Sequence, residues 1–276
     1  MTTAAAASIA ARATGPLSRW LSVRHPLRTE AAAVLTLYGL YEVARGLVVG
    51  NGAEAERHAL RVAATERSLH LLLEVKLQSA VHVLPGLTGL LAAAYLTFHL
   101  TVTAAVLLWL HQRRPAAFPF VRTTLLLASG LSLIGFLAYP TAPPRLAGIG
   151  IADTVSHGPM DLNHGFVSLL YNPYAAVPSM HIGYALVVAV TLLRHGRRSL
   201  VRILGALYPP FVLLVIVATG NHFFLDAAAG ALVAGLAAAL AALLTRRPAT
   251  ARLTGARTQL GDRVGHHNGC LVLGRG

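Results

Sequence analysis

Five polar residues in an otherwise apolar chain have the types and spacing to handle an anion such as phosphate: Arg145, Ser179, His181, His222 and Asp226. His222 and Asp226 stand four residues apart, so on a helix they share a face, about 40° apart. Asp226 can then accept a hydrogen bond from one imidazole nitrogen and leave the other as a nucleophile. Ser179 and His181 are two apart, and on a regular helix such side chains diverge. Both reach one ligand only if Ser179 sits at a helix cap, and Pro178 before it suits a helix start. Helices beginning near 179 and 222 would aim N–H groups and positive dipole ends at a shared anion. Arg145, stiffened by Pro143 and Pro144, adds a fixed charge and a planar donor fork. A metal is the competing assignment for His181, His222 and Asp226. Arg145 beside them opposes a cation, so neither a metal nor a cofactor is expected. Taken singly the motifs are weak: His-x-x-x-Asp on an apolar helix is often a buried polar pair, and a serine after proline caps helices without doing chemistry. Their joint placement at one membrane depth carries the weight.

The elements that must position these residues follow from composition. Of 276 residues, 55% are hydrophobic and only 12% charged, with mean hydropathy +0.61. Soluble domains carry about 25% charged residues, so a soluble domain, a disordered chain and a charged coiled coil are excluded. Six apolar segments, at 31–50, 84–110, 120–139, 179–194, 201–219 and 222–244, are bounded by charge, Pro or Gly. A membrane-crossing helix needs about 20 such residues. The fold expected is all-α, a polytopic membrane bundle of six transmembrane helices. Pro209-Pro210 should kink the fifth. Over 53–82, Ala55, Ala59, Val62, Leu69, Leu73, Leu77 and Ala80 recur at three- and four-residue steps. That predicts one amphipathic helix, lying on the membrane surface or packed over the bundle. Glu66 falls inside its apolar stripe, and a neighbouring arginine is its expected partner. Residues 1–30 read as a basic tail, 31–244 as the membrane domain, and 245–276 as a disordered basic tail. The single cysteine, Cys270, excludes a disulfide framework within the chain. Residues 1–30 hold no continuous apolar core, so no cleavable signal peptide is expected.

Charge predicts the orientation. The first 30 residues hold four arginines. The loop between spans two and three has Arg113, Arg114 and Arg122, and the loop between four and five has Arg194, Arg197, Arg198 and Arg202. The C-terminal tail holds six arginines. Over 53–82, Arg57, Arg61, Arg67 and Lys76 are balanced by Glu54, Glu56, Glu66 and Glu74; Arg145 alone is basic between spans three and four. Both termini are therefore expected in the cytoplasm, with the five polar residues at the extracytoplasmic face. The net charge of +13 then reflects basic loops rather than a nucleic-acid partner.

Three stretches carry a resemblance: YPTAPPR at 139–145, NPYAAVPSMH at 172–181 and TGNHFFLDAAAG at 219–230. In motif order and topology, over roughly 80–244, the chain resembles the phosphatidic acid phosphatase type 2 superfamily of integral membrane lipid phosphatases and phosphotransferases. More narrowly, it is similar to the inositol phosphotransferase branch that includes inositol phosphorylceramide synthases, the aureobasidin-resistance family. The resemblance implies a nucleophilic role for His222, which would carry the phosphoryl group as a phosphohistidine. It implies that Asp226 orients His222, that His181 protonates the leaving group, and that Ser179 and Arg145 bind the phosphate. The implied partners are a membrane lipid phosphate and a small alcohol, inositol or another polyol, or water as acceptor. The sequence departs from the phosphatases at Met180, where they have Gly, and at Ile216, where they have Arg. Both departures are tolerated in the inositol branch, so a phosphotransferase is the leading expectation. A lipid phosphate phosphatase is the alternative, and a non-enzymatic anionic-lipid-binding or transport protein a remote one.

Overall fold

A computed structural model describes residues 20–47, 51–154 and 172–245. The predicted disordered tail and most of residues 1–30 lie outside the described residues. Everything below concerns the compact unit Val23–Ala242.

The described residues form helices and no strand; one isolated bridge pairs Thr141 with Ala175. The helices are α1 (Leu27–Leu47), α2 (Gly52–Ser68), α3 (Glu74–His82), α4 (Leu87–Arg113), α5 (Phe118–Ala138), α6 (Met180–His195), α7 (Ser199–Ala218) and α8 (Phe224–Leu244). Of the six expected spans, α4, α5, α7 and α8 are long and apolar enough to cross a membrane. The other two fall short for physical reasons. The helix α1 has 21 residues but carries Arg28, Glu30, Glu42 and Arg45. The helix α6 has 16 residues, about 24 Å against a hydrocarbon core of about 30 Å. Its shortness goes with its place. It packs on α4, α5 and most extensively α7, and buries Ile182, Tyr184, Ala185 and Val188. The helix α7 runs on through Pro209 and Pro210.

Two side-chain layers hold the bundle. Leu110, Phe118, Val121 and Phe136 meet Met180, Tyr184 and Val188 between α4, α5 and α6. Ile182, Ala185, Val212, Ile216 and Val217 join α6, α7 and α8. Burying each such side chain contributes about 1.5–3 kcal/mol in water. Within lipid, close packing takes over that role.

The segment 53–82 is two helices rather than one. The chain breaks after Ser68, with His70 at φ 58°. Leu69 and Leu73, predicted on the buried stripe, are about half exposed. The N-terminal part of the stripe holds: Ala55, Ala59 and Val62 pack with Ala142, Ala147 and Phe223. So α2 covers the loops at one end of the bundle. His58 Nδ1 meets the Pro140 carbonyl at 2.7 Å, and its ring stacks on Tyr139 with centroids 3.9 Å apart. The Ala55 carbonyl accepts the Ala142 N–H at 3.1 Å.

Candidate active site

Three separated stretches meet beneath α2: 139–147, 172–179 and 219–223. Thr141 N–H donates to Tyr174, and Ala176 N–H donates back to Thr141. Arg145 N–H donates to the Gly220 carbonyl at 3.0 Å. Gly220 has φ 68°, and a Cβ there would crowd Ile151 and Arg145, so only glycine fits this crossing. Pro144–Leu146 form a 3₁₀ turn that buries the Arg145 side chain. Arg145 Nε pairs with Asp153 Oδ1 at 3.2 Å.

Ser179 is the N-cap of α6, as its spacing from His181 requires, but its side chain makes no capping hydrogen bond. It is fully buried, and its Oγ has no partner among the described residues. The α6 start is locked to α8, because Ser179 N–H donates to the Asp226 carbonyl at 2.9 Å. Gly230 makes this approach possible: a Cβ there would overlap the Ser179 carbonyl.

His222 does not share a helix face with Asp226. The helix α8 begins at Phe224, and His222 lies just before it. The two meet all the same, with His222 Nδ1 3.4 Å from Asp226 Oδ2. Nδ1 also lies 3.1 Å from the Ala176 carbonyl. Two acceptors facing one nitrogen assign the proton to Nδ1 and the lone pair to Nε2. Asp226 Oδ2 accepts the Phe223 N–H at 2.9 Å, as a third-position helix residue reaches back to cap its own start.

The expected open anion site at the α8 N-terminus is already filled by carboxylates. Beside Asp226, Glu66 Oε1 accepts the Leu225 N–H at 2.6 Å. Glu66 therefore has a helix terminus rather than an arginine as partner. Glu66, Glu74 and Asp226 are all fully buried. No donor among the described residues reaches Glu66 Oε2 or either Glu74 oxygen. Burial and the neighbouring Glu74 carboxyl push Glu66 up to about 9, so it holds its proton at neutral pH.

A cavity of about 330 Å³ opens in front of these loops, lined by Arg145, His181 and His222 of the predicted set. Asp226 and Ser179 stand behind its wall. The sequence reading missed Tyr95 and His99 of α4, which share this cavity. The Tyr95 ring stacks on His181 at 4.4 Å, and His99 lies 4.1 Å from it. The His181 and His222 centroids are 5.5 Å apart, and His181 Nε2 has no partner among the described residues. Their signal was available, since two polar residues four apart interrupt an apolar span. Ile216 is buried in the core. As for the metal alternative, no group of three His, Cys, Asp or Glu among the described residues is arranged to hold an ion.

No curated protein and no solved structure gives a significant match to the chain. The family model of the PAP2 superfamily matches residues 60–240, which span the bundle from within α2 to α8 and contain every residue of the three converging stretches. The chain belongs to the PAP2 superfamily.

Proposed function

We propose that this protein is a membrane phosphotransferase that moves a phosphoryl or phospho-alcohol group of a lipid phosphate through His222. Membership of the superfamily supports an enzyme acting on lipid phosphates. The observation that carries the reading is the His222 geometry: Nδ1 faces two acceptors while the ring lines a cavity with Arg145 and His181. His222 Nε2 attacks phosphorus. The bond from phosphorus to the leaving oxygen breaks, and His181 gives that oxygen its proton. The positive charge left on the His222 ring is held at Nδ1 by Asp226 and the Ala176 carbonyl. An alcohol or water then attacks the phosphohistidine, its proton returns to His181, and His222 is regenerated. Arg145 offsets charge on the equatorial oxygens. The phosphate-binding role of Ser179 rests on the motif pattern alone, since its hydroxyl is buried at the α6 cap and does not line the cavity.

A second cavity, about 600 Å³ and almost wholly apolar, shares Tyr38, Tyr41, Leu100 and Tyr184 with the first. A cavity carrying Arg145, His181 and His222 beside an almost wholly apolar one suits a substrate with a phosphate head and a hydrocarbon tail. The charge asymmetry of the loops supports cytoplasmic termini and a site at the extracytoplasmic face. Inositol or another polyol as acceptor rests on the motif pattern; water as acceptor is the second reading. The test is purified protein in detergent, given several lipid phosphates with and without inositol, with products resolved by mass. A phosphoinositol product supports transfer to a polyol. Inorganic phosphate alone supports hydrolysis. No product from any lipid phosphate contradicts both.

A further inference from the structure

The wall that α1 contributes to the polar cavity carries a charged pair with no role in the chemistry above. Glu42 and Arg45 stand one turn apart and both line the chamber that holds Arg145, His181 and His222. Arg45 Nε donates to Glu42 Oε2 at 3.1 Å, and Nη2 lies 2.9 Å from the same oxygen. Their side chains are only 24% and 17% exposed. A helical i, i+3 pair that merely decorates a surface stays in water, where it contributes little. This one sits in a cavity between helices, where an ionisable group is costly to hold. Its backbone is anchored too, because the Arg45 carbonyl accepts Asn172 Nδ2 at 2.8 Å. That hydrogen bond ties the end of α1 to the stretch that leads into Ser179 and His181. Arg45 lies close enough to His99 and His181 to interact with both electrostatically.

Charge balance indicates what the pair does. A phosphate monoester brings up to two negative charges. It would meet Arg145, whose Nε already faces Asp153, with buried carboxyls of Glu66, Glu74 and Asp226 behind His222. One guanidinium is a thin counter-charge for a dianion, and Arg45, paired with Glu42 as Arg145 is with Asp153, is the other guanidinium lining this cavity among the described residues. We propose that Arg45 is a second phosphate-binding cation of this site, with Glu42 as the positioning residue that fixes the plane of its guanidinium. The two guanidiniums come from elements far apart in sequence, so the packing of α1 against the bundle completes the anion site. The proposal rests on the reading that the cavity takes a phosphate group.

The test uses the full chain in detergent, with inorganic phosphate as the binding probe and lipid phosphate turnover measured alongside. Arg45→Gln should weaken phosphate binding and raise KM by about ten- to a hundred-fold, the range of a charge-assisted hydrogen bond. Arg45→Lys should fall between, because an ammonium keeps the charge and loses the fork. Glu42→Gln should cost a few-fold in KM. Arg28→Gln removes a charge from the far end of α1 and should change neither. A purely structural Arg45 would lower the melting temperature and leave phosphate affinity alone. If Arg45→Gln does not fold, Arg45→Lys decides. Phosphate affinity and KM within about two-fold of the parent protein, in whichever of these variants folds, would overturn the proposal. The two readings fail separately. Arg45-dependent phosphate binding with full turnover in His222→Ala would sink the transfer mechanism and leave Arg45 standing. Lost turnover in His222→Ala with unchanged affinity in the Arg45 variants would do the reverse.

Discussion

The two ends of the bundle bury charge in opposite ways. At the end where α1 and α5 begin, Arg122 Nη1 lies 2.6 and 2.8 Å from the two oxygens of Glu30. Both residues are almost fully buried. The His25 N–H donates to the same carboxylate, and Arg122 stands over the Phe118 ring at 5.7 Å. His111 Nε2 meets the His25 carbonyl at 2.9 Å, and Arg114 donates to the His195 carbonyl. Positive faces negative, and helix ends are tied to each other. At the other end Glu66, Glu74 and Asp226 are buried together, with like charges as neighbours. Buried opposite charges are an architectural device whose partners must both be present. Burying three acidic groups together, with Ser179 Oγ, His181 Nε2 and Asp226 Oδ1 unpartnered among the described residues, works against stability, the kind of cost that functional sites carry.

That contrast can be broken from either side. The largest effect is expected at the like-charged end. His222→Ala should drop turnover to background, at least about 10³-fold, with little change in melting temperature. Asp226→Asn should lose about 10²- to 10⁴-fold, because the imidazole keeps the Ala176 carbonyl but loses the negative charge that holds the positive ring. Near-normal turnover in purified His222→Ala would remove the nucleophile assignment.

At the matched end, Glu30→Gln leaves Arg122 buried without its counter-charge. It should destabilise the fold by about 3–5 kcal/mol while leaving the specific activity of the folded fraction unchanged. Thermal unfolding read beside active-site titration separates the two, and a loss of specific activity without a loss of stability would invert the comparison.

Arg145→Lys comes next. A single ammonium does not reproduce two-pronged contact. Loss of about 1.5–3 kcal/mol of charge-assisted hydrogen bonding corresponds to roughly ten- to a hundred-fold in turnover. If Arg145 only anchored its loop to lipid headgroups, lysine would serve as well and turnover would be normal.

The smallest effect is in the pH dependence of stability. The Glu66 carboxyl is raised in the folded protein from 4.5 to about 9, so folding takes up a proton between those values. Its contribution is complete below about pH 4.5 and fades as pH rises through 9. The parent protein should therefore lose stability across pH 7–9, by up to about 2 kcal/mol. Glu66→Gln, which cannot ionise, should flatten that slope. Identical slopes in the two proteins would show that Glu66 is not raised by its burial.

Much of this was legible from sequence where the physics is local. Hydropathy located α1 and α4 to α8 to within four residues, although only α4, α5, α7 and α8 are long and apolar enough to cross a membrane. The two-residue spacing of Ser179 and His181 demanded a cap at Ser179, and the structure has one. What was not legible depends on distant partners. The partner of Glu66 is Leu225, 159 residues away, and no pattern around Glu66 announces it. Arg122, read as a loop charge, is buried on Glu30, 92 residues away. The apolar spacing at 53–82 continues past Ser68, yet α3 buries Glu74, Gln78 and Val81 and leaves Ala80 of the stripe exposed, so periodicity alone did not reveal the break. The spacing of His222 and Asp226 brought them together by a different route, a pre-helical residue facing the first turn.

The central claim is that His222 carries the phosphoryl group. Protein in detergent should be mixed with a lipid phosphate labelled on phosphorus, quenched within the first turnover, and mapped by peptide. Acid-labile, base-stable label is expected on the peptide containing His222, and none in His222→Ala. Full turnover with no label at His222, or equal label in His222→Ala, would contradict it.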